Sequence, residues 1–156
     1  FSQLLYFCNM YSFILILHIV LSVLLVVLTL YTVVRSVLGI FSKVKFSNFL
    51  DLSIPIVSVI FLYLELILGL ILYAIHINNL EKFLSQENAG TYFYTRFWAV
   101  EHAILMLFAI IFGHLALVYA KNLNNDKEKF QKNLIYFGFC FVLIVFSVGM
   151  NMIRNG

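Results

Sequence analysis

Residues 96–121 read RFWAVEHAILMLFAIIFGHLALVYAK. From 97 to 120 the stretch is almost wholly apolar. It is long enough to cross a hydrocarbon core of about 30 Å, which takes about 20 helical residues. Yet it carries Glu101, His102 and His114. Ionisable groups in hydrocarbon are costly; as a rule they face a bundle interior and mark a function. One stretch therefore argues both for a membrane helix and for a site within it.

Three further apolar segments of spanning length occur at 11–40, 52–77 and 134–153. With 97–120 they predict an all-α integral membrane four-helix bundle, a single transmembrane domain over residues 1–156. Composition agrees. The chain is 63% hydrophobic and 11% charged, with a mean hydropathy of +1.03, outside the range of water-soluble domains. A net charge of +3 with scattered carriers excludes nucleic acid as a partner. Cys8 and Cys140 fit no motif and read as apolar filler. Pro55 falls in the first turn of the second span, where a missing N–H costs little.

The connections set the expected orientation. SKVKFSNFLD (42–51) and KNLNNDKEKFQKN (121–133) must lie on one side of a four-span bundle. Together with Arg35 they hold Lys43, Lys45, Lys121, Lys127, Lys129 and Lys132, seven of the ten basic residues. The positive-inside rule then places these loops in the cytoplasm and both termini on the outer side. NNLEKFLSQENAGTYFYT (78–95) crosses the opposite end, with room for a short surface helix before an Ala-Gly break.

Depth follows from the 1.5 Å rise per helical residue. His18 lies about 10 Å inside its span and His102 about 9 Å inside the third, measured from the same face. His114 is about 18 Å deeper than His102 and about 120° around the helix, so the two address different faces. His76 sits at the mouth of the second span, and Glu65 near the midplane. At 100° per residue, four stripes emerge: His18, Ser22 and Thr29; Glu65, Gly69, Leu72 and His76; His102, Met106, Ala109 and Gly113; and Tyr136, Cys140, Ser147 and Asn151.

Two histidines at matching depth on different helices are the arrangement that holds a b-type haem in a bundle. Neutral imidazole ligates iron through one nitrogen while the other donates a hydrogen bond. Ala109, Gly113, Met106 and Phe108 offer small and soft surroundings, and Arg96 at the mouth could meet a propionate. The chain contains no CxxCH, which excludes c-type attachment. A membrane histidine serves equally as a hydrogen-bonding residue between helices, and that reading stands beside the first. Glu101 reads as an acid favoured by a helix N-terminus or as part of a proton path. Glu65 has no evident basic partner, which calls for a protonated carboxyl, a hydrogen-bonding neighbour or a proton path.

MYSFILILHIVLSVLL, ELILGLILY and above all RFWAVEHAILMLFAIIFGH resemble the small four-span bacterial membrane proteins catalogued as cytochrome b-like. The resemblance runs over nearly the whole chain from Met10. It implies a bacterial inner-membrane protein holding haem b within the bundle and serving respiratory electron transfer. The residues that carry over are His18, Arg96, Glu101, His102 and His114; the residue reading takes His18 and His102 as the axial pair of one haem, and a second haem, towards the cytoplasm, would fall to His114. A larger membrane complex and quinone are the partners it implies, besides the bilayer. The chain departs from the pattern in lacking an Arg after the first-span histidine, in HIVLSV, and in Tyr63, where some relatives have a histidine. The rival expectation is a haem-free accessory subunit packed in a larger membrane complex, with no catalytic centre of its own.

Overall fold

A computed structural model describes the backbone of residues 2–42, 44–83 and 89–155, and the side chains of residues 9–42, 44–75 and 99–149. Within these the chain forms four helices: α1 (Ser2–Phe41), α2 (Ser53–Phe83), α3 (Ala89–Asn122) and α4 (Asp126–Asn155). All four are long and apolar enough to span a membrane, over Asn9–Phe41, Asn48–Ile75, Ala99–Asn122 and Asp126–Gly149. A helix is what such sequences must form in lipid, because no water is present to satisfy free backbone groups. The chain is thus an all-helical, multi-pass membrane bundle.

The helices pack in chain order around a square. α1 lies against α2 and α4, and α3 against the same two. α1 and α3 therefore face each other across the diagonal. The apolar centre is filled by Leu25, Val59, Leu62, Met106, Ala109, Phe137, Cys140 and Ile144, all buried. Apolar residues also line the outside, among them Val23, Ile67, Ile111 and Phe146. Helices apolar all round suit a lipid surrounding. Lipid tails give no hydrophobic drive for helix association, so close packing and interior hydrogen bonds must supply it. Gly113 is one such close approach: a Cβ there would fall 2.8 Å from Val59 Cγ2 on α2.

Two helix boundaries differ from the sequence reading. α2 continues to Phe83 and α3 begins at Ala89, so Ala-Gly starts a helix instead of ending a separate surface one. Glu101 is consequently three turns inside α3 and cannot be a first-turn acid favoured by the helix dipole. Between α1 and α2 the chain makes one π turn, Asn48–Leu52, started by Ser47. The backbone N–H of Ser47 donates to Asp51 Oδ2 at 2.7 Å, and that of Leu50 to Ser47 Oγ at 3.5 Å, a reciprocal cap of the kind that orders a helix start.

Candidate functional site

All four helices send polar side chains into one layer inside the bundle. His18 comes from α1, Glu65 from α2, His102 from α3 and Ser147 from α4. The layer follows from the stripes: each of these residues stands on the polar or small-residue face of its helix, and chain-order packing turns those faces inward.

Glu65 is 2% exposed, and its Oε2 lies 2.6 Å from His18 Nδ1. The contact is one of distance; the ring N–H is not aligned on the oxygen, and His18 Nδ1 and Glu65 Oε1 both remain without a hydrogen bond. Ser22, one turn beyond His18, donates from Oγ to the same Oε2 at 3.0 Å. Of the readings open for Glu65, a hydrogen-bonding neighbour is present in Ser22, and a basic side chain that the sequence did not show stands beside it. The partner is a histidine on the neighbouring helix, invisible until helix order and rotation are known.

Across the diagonal, His102 Nδ1 is hydrogen-bonded to Ser147 Oγ on α4. The two imidazoles meet edge to face, with centroids 6.3 Å apart and planes at 67°. On the α2 side the backbone beside His18 is bare: a Cβ added at Gly69 would meet only His18 Cε1, at 3.7 Å. Met106 and Ala109 lie buried further along α3 on the His102 stripe. Each ring thus has its Nδ1 beside an oxygen of an adjacent helix. Among the described residues no three His, Cys, Asp or Glu side chains converge as a metal-binding group. The chemistry on offer is a pair of nitrogen donors, not a polydentate cage.

The remaining expected residues fall elsewhere. His114 faces outward and its Nε2 lies 2.7 Å from Tyr63 Oη, a pair joining α2 and α3 on the outer surface. Phe108 is 49% exposed and faces away from the layer, so it is no part of a pocket. Glu101 is half-buried next to His102 in sequence. The side chains of Arg96 and His76 lie outside the described residues.

A second polar cluster closes the end where the 42–47 and 123–125 connections meet. Arg35 Nε donates to Asp51 Oδ1 at 2.9 Å, Arg35 Nη2 to Oδ2 at 3.4 Å, and Asp51 is 3% exposed. Asn133 Nδ2 donates to Asp51 O at 3.3 Å. The guanidinium also stands over Phe130, 5.9 Å from its centroid, a cation–π contact. Asp126 Oδ2 accepts from Phe46 N at 3.2 Å, tying the two connections together. Residues Arg35 and Asp51 close the short link between antiparallel neighbours, a signal present in the sequence but read only as loop charge.

No family model, no curated protein and no solved structure matches this chain.

Proposed function

We propose that the chain is a b-type haem-binding membrane subunit, with His18 and His102 as the axial ligands and respiratory electron transfer in a bacterial inner membrane as its setting. What supports this reading is the imidazole pair on the diagonal. The two rings are neighbours inside the bundle, their centroids 6.3 Å apart, close enough that both would contribute nitrogen donors to one group held between α1 and α3. The second support is the state of the Nδ1 atoms. A ligating histidine usually turns its other nitrogen to a carboxylate, hydroxyl or carbonyl, which fixes tautomer and ring orientation. Glu65 stands at His18 Nδ1 and Ser147 at His102 Nδ1, the kind of neighbours that orient a ligating imidazole.

In this reading Glu65 stands beside His18 Nδ1 and orients the ring, while Ser22 donates to the same carboxyl oxygen. Ser147 does the same for His102 as a neutral acceptor. Gly69 keeps the side of α2 clear beside the His18 ring. A haem held there supplies a one-electron redox centre within the low-dielectric interior of the bilayer. The orientation belongs to the same proposal: the basic end, with Lys45, Lys121 and Lys127, in the cytoplasm and both termini outside.

The test is the haem content of protein purified from membranes in mild detergent, read as a reduced-minus-oxidised spectrum. A low-spin b-type spectrum at one haem per chain is expected. A protein that stays colourless when titrated with haem makes the layer a structural hydrogen-bond set instead.

A further inference from the structure

The end of the bundle where the 42–47 and 123–125 connections meet carries more positive charge than its acids balance. Those acids are already engaged. Asp51 is held by Arg35, Asp126 Oδ2 accepts from Phe46 N at 3.2 Å, and Glu128 Oε1 accepts from Asn125 Nδ2 at 3.5 Å. Among the described residues, ion contacts join only His18 to Glu65 and Arg35 to Asp51. Lys121, Lys127, Lys129 and Lys132 therefore have no carboxylate partner there. Two of them rest on rings: Lys129 Nζ lies 5.0 Å from the centroid of Phe46, and Lys132 Nζ 5.0 Å from that of Tyr119.

Lys132 stands at the mouth of the outer seam between α3 and α4. There Tyr119 stacks on Tyr136, with centroids 5.4 Å apart and planes at 5°. About two turns deeper, Phe112 stacks on Phe139 at 5.4 Å and 23°. Leu115, Ile135 and Phe139 along the same seam are exposed. Tyr119 is three residues before the Asn122 end of its span, so the Lys132 ammonium above it is about 5 Å inside that end. At this level hydrocarbon gives way to head groups, and tyrosine is enriched.

An exposed apolar seam in a bilayer is covered by lipid, so what its side chains decide is the head group. A zwitterionic head group brings its phosphate together with a cation, which the unpaired lysines repel. An anionic one brings the phosphate alone. Basic positions between helices at a membrane surface bind such head groups, at about 1 kcal/mol per lysine. We propose that the α3–α4 seam binds one anionic phospholipid, its phosphate on Lys132 and its acyl chain along the Tyr119–Tyr136 and Phe112–Phe139 stacks. Lys129, turned to Phe46, and Lys127, about 140° around α4 from Lys132, lie off the seam. The site uses neither His18 nor His102 and does not rest on the haem reading.

The test titrates the full chain in mild detergent with phosphatidylglycerol and, separately, with phosphatidylcholine of the same acyl chains. Native mass spectrometry counts the lipid-bound protein. The parent should take up one phosphatidylglycerol saturably, about fivefold more tightly than phosphatidylcholine, the equivalent of ~1 kcal/mol. Lys132→Gln should abolish that preference, and Lys132→Arg should keep it. Lys127→Gln makes the same change of net charge off the seam and should bind as the parent does. Both lysines reach the surface, so helicity and elution volume should match the parent and confirm folding. Inorganic phosphate should not displace the lipid, because it has no chain to lie on the rings. Equal affinity of the parent for the two lipids overturns the proposal. So does an equal loss in Lys127→Gln and Lys132→Gln, which would make the preference one of diffuse surface charge, and so does release of the lipid by inorganic phosphate.

Discussion

Glu65 Oε2 lies 2.6 Å from His18 Nδ1, so a carboxyl group of α2 and an imidazole of α1 share the interior of a membrane bundle. Neither is affordable there alone, and together they account for each other. The carboxyl stands beside one ring nitrogen of His18, Nδ1, and Ser22 donates to the same oxygen.

Removing that carboxyl should weaken the site without destroying it. Partners behind a metal-ligating histidine are worth about 10–100-fold in affinity. Glu65→Leu should lower haem affinity by that factor, and Glu65→Gln by less, because the amide keeps a polar oxygen beside Nδ1. Ser147→Ala should act in the same direction on His102, more weakly, since the lost partner is neutral. Haem titration of the purified variants measures all three. Equal affinity in parent and Glu65→Leu would show that the carboxyl has no part in the site.

The ion pair at the basic end should govern stability alone. Asp51 is buried and fully engaged by Arg35, Ser47 and, through its carbonyl, Asn133. Breaking a buried pair on one side costs about 3–5 kcal/mol. Asp51→Leu and Arg35→Met should each destabilise by about that amount. The double variant should cost less than their sum, as each single change strands a charge. Unfolding in mixed micelles measures this. The spectrum should not change, because Asp51 and Glu65 are about 20 Å apart along α2.

Two interior glycines should behave in opposite ways. A Cβ at Gly113 would fall 2.8 Å from Val59 Cγ2, while one at Gly69 finds ordinary contact at 3.7 Å. Gly113→Ala should therefore destabilise the α2–α3 contact by about 1–3 kcal/mol, and Val59→Ala should restore much of it. Gly69→Ala should be neutral or stabilising by up to about 1 kcal/mol. The same unfolding assay decides.

Orientation has a direct assay. Cysteines placed at Lys45 and Asn125 should react together, because the Phe46–Asp126 hydrogen bond puts both connections at one end. An impermeant thiol reagent should reach them from the cytoplasmic side only, following the lysine asymmetry. Labelling of Asn125→Cys from outside would invert the bundle.

The spans were legible because lipid reduces the choice of structure to helix, and hydropathy then reads almost directly. The stripes were legible too: Met106, Ala109, Thr29, Cys140 and Ser147 all face inward, as 100° per residue requires. What periodicity lacks is the rotation of one helix against the next. It placed His18 and Glu65 on inner faces but could not pair them. It put Phe108 near the histidine, where the helix turns it to lipid. Arg35 and Asp51 were countable as charges, yet their pairing depended on how tightly the link between α1 and α2 turns. Periodicity set His114 on a different face from His102, but its pairing with Tyr63 across the outer surface again depended on how α2 and α3 are rotated.

The central claim is that His18 and His102 hold one haem between α1 and α3. The most direct measurement is the reduced-minus-oxidised spectrum of the parent beside His18→Ala, His102→Ala and His114→Ala, purified identically. The account predicts a low-spin spectrum in the parent, its loss in each of the first two variants, and its retention in His114→Ala, whose imidazole lies on the outer surface. A parent protein that binds no haem would contradict it, as would a spectrum that survives the loss of either interior histidine.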